Sequence, residues 1–211
     1  MGHTPNNINH IPTLNKLNYE ITAFVDDREI ISTFKNIKII NYVQLPSFHK
    51  DHCFFIALGD NFLRYHYVEK IKKIIPDSYF PPICDPSSNI DDDCILEEGL
   101  VIGPFCFIGN NCQLKKFNVL SSHCILTHDI TMNSYNYLGS RITMSGYSSL
   151  GSYNSIFSHS VISRKISILS NVTIGTNSYV NSNIDKEGLY YGSPAKFIKK
   201  IKKNFSYISS P

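Results

Sequence analysis

The sequence predicts a mixed fold: a small α/β domain over residues 1–85, a triangular parallel β-helix over 86–187, and a short basic segment over 188–211. Three observations predict it. Every sixth residue from Ile90 to Val180 is aliphatic or Met, sixteen positions without a break, including Leu96, Ile102, Leu126, Met132, Met144 and Ile174. Before Ile90 that period gives way to apolar runs separated by helix-like segments. Uncharged Asn, Ser, Thr and Tyr abound while only 18% of residues are charged, which suits polar turns around a repetitive core and excludes an ordinary disordered chain.

A fixed period decides architecture before any single element does. A strand that carries one aliphatic residue in six cannot bury it alone, so it must stack on the next turn of a coil. Three strands per turn place residues eighteen apart above one another and pile the aliphatic side chains into three internal columns. Two positions before each aliphatic stands a mostly small residue, among them Cys94, Cys106, Cys112, Cys124, Ser148, Asn154, Ser160 and Ser178. These four cysteines thereby read as small inward packing residues. Cys53 and Cys84 are left without a role, and no Cys-x-x-Cys pair suggests a thiolate metal site. The residue after the aliphatic is often Gly or Ser, as at Gly103, Gly109, Gly139, Gly151 and Gly175, and marks the turn.

In the first domain, Tyr19 to Asp27 reads as a buried strand ending in two acids, Asn36 to Val43 as a second, and Cys53 to Gly59 as a third. Asp60 to Ile75 is an amphipathic helix, acidic at its start and basic at its end, as the helix dipole prefers. Strand, turn and helix in that order suggest an open α/β sheet, where ligands bind beyond the carboxyl ends of strands. That places Asp26, Asp27 and the turn Gly59-Asp60-Asn61 at a candidate binding edge. Thr4 to Leu17 reads as loop, and no apolar strand precedes Gly2-His3, so a truncated Rossmann-like domain is expected, either naturally shortened or without an upstream first strand. Pro81, Pro82 and Pro86 mark the crossing into the coil. After Gly192 the chain is expected to continue as a basic amphipathic helix with Phe197, Ile198, Ile201 and Phe205 on one side.

Several classes of function are excluded. A net charge of +3 is too small to make nucleic acid the default partner, and no run approaches the roughly 18 apolar residues that span a bilayer. No basic, apolar and small-residue succession marks a secretory signal, so a soluble cytoplasmic protein is expected.

Of the eight histidines, His128 has the most telling neighbour, Asp129. A carboxylate beside an imidazole holds its tautomer and stabilises the protonated form, which suits a general base near neutral pH. Eighteen residues on comes Gly146, whose bare backbone N–H is a candidate oxyanion donor, and eighteen further Arg164, a candidate phosphate contact. The spacing of His123 and His128 is similar to the zinc pair of the β-helix carbonic anhydrases, but the upstream region where that resemblance requires a third histidine, Cys84 to Ser88, has none, so no metal is expected.

With VDD at Val25 to Asp27, FFIALGDNFLR at Phe54 to Arg64, LTHD at Leu126 to Asp129, the sixfold repeat, and YGSPAK at Tyr191 to Lys196, the chain resembles the bacterial sugar-nucleotide N-acetyltransferases of the left-handed β-helix hexapeptide-repeat superfamily. These acetylate the 4-amino group of UDP- or GDP-linked 4-amino-4,6-dideoxysugars, as the bacillosamine and perosamine acetyltransferases do. The chain is also similar to the sialic-acid O-acetyltransferase-like group. The resemblance implies an acetyl-CoA-dependent enzyme with His128 as general base, Asp129 as its supporting carboxylate and Gly146 near the thioester. It implies that Gly2, His3, Asp26, Asp27 and Gly59 line the nucleotide-sugar site, with UDP the expected carrier. Acetyl-CoA would lie between subunits of a homotrimer, against Tyr137, Gly146, Ser158 and Thr176. The family carries histidine where this chain has Tyr137 and glycine where it has Thr176, so contacts made there by backbone survive. The absent first strand touches the nucleotide end of the acceptor site and leaves the acetyl end intact. The alternatives are a sugar O-acetyltransferase, which His128 would serve equally, and a non-catalytic trimeric scaffold or nucleotide-sugar-binding module.

Overall fold

The computed structural model describes residues 10–26, 32–48, 52–56 and 58–201. From Ile83 onward the chain winds into a left-handed parallel β-helix whose strands, mostly two residues long, stack in three sheets. The first face starts at Ile83–Cys84 and runs through Val101–Ile102, Val119–Leu120, Tyr137–Leu138 and Ser155–Ile156 to Val172–Ile174. The second runs from Asn89–Ile90 to Tyr179–Val180, and the third from Ile95–Leu96 to Ser167–Ile168. Register is eighteen residues from Ile83 to Val180, as in Val101↔Val119↔Tyr137, and shortens to sixteen in the last turn, where Val172 pairs with Gly188 and Ile168 with Ile184. The sixfold aliphatic positions from Ile102 to Val180 are all buried, as are Cys106, Cys112 and Cys124.

Corner geometry differs from the expectation that the small residue after each aliphatic makes the turn. The left-handed backbone falls three positions after the aliphatic, at Gly99, Phe105, Asn111, Phe117, His123, Asp129, Tyr135, Arg141, Tyr147 and Tyr153, and continues at the same spacing to Asn177. Most of these side chains disfavour that conformation, so the closure of the triangle imposes it on them. The small residue after the aliphatic answers a different demand. A Cβ on Gly109 would overlap the Thr127 carbonyl of the next turn.

One corner is held by a buried ladder. Asn118 Oδ1 accepts the Asn136 N–H at 2.8 Å, Asn136 Oδ1 the Asn154 N–H at 2.8 Å, and Asn154 Oδ1 the Val172 N–H at 2.7 Å. Outside the same corner Phe117, Tyr135 and Tyr153 stack at 5.2 and 5.4 Å. The amino-terminal domain docks on this aromatic column.

That domain contains α1 (Ile11–Lys16), a sheet of β1 (Ala23–Val25), β2 (Thr33–Phe34) and β3 (Ile37–Ile40), a 3-10 turn at Tyr42–Phe48, and α2 (Asn61–Ile74). β1 lies parallel to β3 and β2 antiparallel to it. α1 falls in the stretch read from sequence as loop, and β2 between the two expected strands. The expected strand at Cys53 to Gly59 forms no ladder among its described residues. Phe54 N–H instead donates to the Tyr79 carbonyl at 2.8 Å, and a cavity of about 160 Å³ lined by Ala23, Val25, Phe54 and Phe55 separates this segment from β1. An apolar run becomes a strand only when a partner backbone lies about 4.8 Å away.

α2 behaves as read. Asp60 caps it by accepting the Leu63 N–H at 2.8 Å, Lys72 and Lys73 lie in its last turn, and Pro76 turns Ile75 out of helical conformation. Its buried face carries Asn61, Arg64, Val68 and Ile71, a helical stripe with two polar members. Arg64 is fully buried: Nε donates to the Phe117 carbonyl at 2.8 Å, Nη2 to the Asn136 carbonyl at 2.9 Å and to Asn61 Oδ1 at 3.1 Å, and Nη1 to the Leu58 carbonyl. Burial pulls its pKa down to about 10, which still leaves it charged at neutral pH. Asn61 Nδ2 reaches the Asn154 carbonyl at 2.9 Å and Ser155 Oγ at 3.0 Å. Two polar side chains thus fasten α2 to three successive turns of the coil.

At the carboxyl end the expected helix is a strand. Gly188–Tyr191 continues the first face in parallel, and Lys196–Lys199 folds back antiparallel to it, with Tyr190 and Phe197 edge to face at 5.5 Å. The open edge of the last parallel strand offers backbone partners that a helix could not use. Ile201 is the last described residue, and Phe205 lies outside the described residues.

Two expectations follow. Arg64→Ala leaves the Leu58 and Phe117 carbonyls without their donor, while the Asn136 carbonyl keeps the Val119 N–H at 2.9 Å, and should lower stability by at least about 2 kcal/mol, since each unmet buried acceptor costs about 1–3 kcal/mol. Limited proteolysis should then cut residues 10–75 while the coil resists. Asp85 is buried and accepts from the Thr13 hydroxyl, from Ser87 N and Oγ at 3.0 and 2.7 Å, and from Lys16 Nζ at 3.4 Å. Burial raises its pKa, but these donors outweigh burial and bring it to about 2. A folded value below the unfolded one contributes stability above the unfolded pKa that is lost as pH falls through the folded one. About 2 kcal/mol should therefore disappear between about pH 4 and pH 2, and urea titrations of Asp85→Asn should lack that step.

Candidate active site

The turn Thr127-His128-Asp129-Ile130 forms the corner between the second and third faces. Asp129 takes the left-handed conformation, φ 51°, which its short polar side chain tolerates and which folds the carboxylate back on its neighbour. His128 Nδ1 lies 2.8 Å from Asp129 Oδ2. The ionised carboxylate can only accept, so it takes Nδ1–H and leaves the lone pair on Nε2. Hydrogen bonds from His128, then Asn111, with a further one from Tyr147, hold the Asp129 carboxyl below the usual range.

The turns below and above complete the corner. From below, Asn111 Nδ2 donates to Asp129 Oδ1 at 2.6 Å. From above, the Tyr147 ring meets the His128 ring edge to face at 5.1 Å, and the Arg164 guanidinium stands 5.0 Å from the Tyr147 ring centre. Gly146 lies directly over the imidazole. A Cβ there would overlap Cε1 and Nε2 of His128, so only glycine leaves the ring its place. The Gly146 carbonyl accepts the Lys165 N–H at 3.0 Å, while its own N–H has no acceptor among the described residues. A base, its carboxylate and an open backbone donor therefore converge on one point of surface.

His128, Asp129 and Gly146 are brought together as the eighteen-residue spacing implied. Asn111 and Tyr147 were missed, although they stand eighteen residues before and after Asp129. Ser158 and Thr176 share one column, but at the corner between the first and second faces, so within one chain they lie across the second face from His128. Tyr137 is on the first face, with its ring 6.4 Å from that of Phe157, and burial pushes its phenol pKa up. Asp26 is buried at the end of β1, its N–H bonded to the Ile40 carbonyl at 2.9 Å. Gly59 precedes the α2 cap, and Asp60 and Asn61 beside it are engaged in the capping and docking bonds described above. Gly2, His3 and Asp27 lie outside the described residues.

The family described as PglD N-terminal domain matches residues 10–71. No curated protein sequence matches the chain. Among solved structures, a mutant of perosamine N-acetyltransferase from Caulobacter crescentus, in complex with CoA and GDP-perosamine, is similar with a TM-score of 0.87 at 18% identity, over 94% of this chain and 95% of that one. The acetyltransferase domain of PglB from Neisseria gonorrhoeae, in complex with acetyl coenzyme A, gives 0.85 at 18% identity over 93% and 96%. WeeI from Acinetobacter baumannii gives 0.69 at 18% identity over 93% and 97%. The chain shares their fold along nearly its whole length, amino-terminal domain included.

Replacing Gly146 by Ala should push the imidazole off its carboxylate. A crystal structure of Gly146→Ala with Nδ1 still at 2.8 Å from Asp129 Oδ2 would contradict this.

Proposed function

We propose that the protein is an acetyl-CoA-dependent N-acetyltransferase that acetylates the 4-amino group of a nucleotide-linked 4-amino-4,6-dideoxysugar. The observation that carries the proposal is the His128–Asp129 pair under Gly146, in a fold shared with proteins solved bound to CoA, acetyl coenzyme A and GDP-perosamine. His128 Nε2 takes a proton from the sugar amine as its nitrogen attacks the thioester carbonyl. The Gly146 N–H meets the oxyanion of the tetrahedral intermediate, and Asp129 offsets the charge of the imidazolium. Collapse breaks the C–S bond, and the imidazolium proton goes to the departing CoA sulfur.

The acyl donor is placed along the second face, between the His128 corner and the column of Ser158 and Thr176, with Tyr137 beside that column. Phe107 and Ile125 stand exposed one above the other on this face, and Val161 and Tyr179 continue the column beyond Thr143. An apolar stripe of that kind calls for a covering surface, and a homotrimer supplies it by setting the second face of one copy against the next. Asp26 and Gly59, with Gly2, His3 and Asp27, form the acceptor's nucleotide end in this reading. A cytoplasmic enzyme is part of this reading, and no helix among the described residues is long and apolar enough to cross a membrane.

The test is acetyl-CoA consumption against UDP- and GDP-linked 4-amino sugars. His128→Ala should lose about 10²- to 10⁴-fold in turnover, the usual contribution of positioned proton transfer. Near-normal turnover by the variant would remove the assignment.

A further inference from the structure

We propose that Asn111 is a positioning residue that fixes the Asp129 carboxylate so that one oxygen, Oδ2, is always presented to His128. The proposal rests on the reading of His128 as the base. Asp129 sits on a convex corner, and its side chain has two free torsions. Its carboxylate would exchange oxygens and rotamers if only His128 held it. Asn111, one turn below, occupies Oδ1 at 2.6 Å and leaves Oδ2 to the imidazole at 2.8 Å.

Asn111 is itself held. Its backbone is left-handed at φ 55°, and its N–H donates to Asp93 Oδ1 at 2.6 Å, one turn lower again. Asp93, Asn111 and Asp129 therefore form a vertical relay that ends at the imidazole. The bond differs in kind from the buried asparagine ladder at the other corner. There each side chain accepts a backbone N–H of the next turn and so supports the coil. The Asp129 N–H instead donates to the Asn110 carbonyl at 3.0 Å, so the Asn111 amide carries no backbone bond of the turn above. Its donor is available only to the carboxylate. The groups facing that carboxylate are His128 beside it, Asn111 with Asp93 beneath, and Tyr147 with Arg164 above.

The discriminating variant is Asn111→Asp. Asp tolerates the left-handed corner and keeps the shape of Asn, but replaces a donor with an acceptor. A purely structural role predicts little change. A positioning role predicts a fall in kcat of about tenfold, the worth of one hydrogen bond to a charged group, with KM for acetyl-CoA unchanged. It also predicts that the Asp129 carboxyl, followed by ¹³C NMR in the full chain, titrates at higher pH than in the parent, because a donor to the anion is lost and a like charge gained. Unchanged kcat together with an unmoved Asp129 titration overturns the proposal. The NMR arm needs no turnover, so if His128→Ala shows that the proposed reaction is wrong, the Asp129 titration still reports on Asn111 by itself.

Discussion

Everything in this molecule depends on residue i resting on residue i+18. The spacing of parallel strands, about 4.8 Å, is a property of the backbone hydrogen bond. Once eighteen residues close a turn, it becomes the vertical distance between side chains that are far apart in sequence. The aliphatic columns, the asparagine ladder, the stacked rings of Phe117, Tyr135 and Tyr153 and the corner around His128 are four uses of that one repeat. A single inserted residue would break them all, because it would turn an inward column outward and move each corner side chain to a different neighbour.

The same constraint explains what could be read from sequence. One aliphatic residue in six, held for sixteen positions, admits few other folds, and it placed the core from Ile102 onward and Cys106, Cys112 and Cys124 correctly, while Ile90, Cys94 and Leu96 in the first turn are only partly buried. The left-handed positions were not legible, because Phe105, Tyr147 or Arg141 would not be chosen for that backbone on local preference. Closure of the coil overrides local preference, as tertiary contacts do when many of them agree. In the amino-terminal domain no period exists to override anything. α2 was legible because its signals are local, namely its amphipathic pattern, Asp60 at its start and the lysines at its end. The Cys53 to Gly59 run was misread because strand formation depends on a partner that the run itself does not encode. At the carboxyl end, apolar spacing suggested a helix, whereas the open sheet edge drew Lys196–Lys199 into a strand.

The candidate site divides in the same way. His128 and Asp129 were visible as sequence neighbours, and Gly146 as a vertical one. Asn111 and Tyr147 were equally available to the eighteen-residue rule but carry no chemistry that attracts notice alone. Arg64 was unreadable in its real role. A helix arginine usually belongs to a solvated face, and only the exposed carbonyls of a coil corner, at Phe117 and Asn136, make a buried one favourable.

A corner suits the proposed chemistry for a physical reason. On a flat face of the coil, backbone N–H groups are consumed by the next turn, and outward side chains stand parallel without converging. At a corner the chain bends, some N–H groups leave the ladder, and neighbouring side chains splay until a left-handed residue folds one back on another. His128, Asp129 and the Gly146 N–H, which has no acceptor among the described residues, are those three consequences in one place. The corner is also convex, so it can aim a base and a donor but cannot enclose a thioester. The enclosing wall must come from outside the turn. The exposed Phe107, Ile125, Val161 and Tyr179, in a column broken by Thr143, lie beside the dyad, and in the proposed reading a second copy of the chain covers them and excludes water from the reacting atoms.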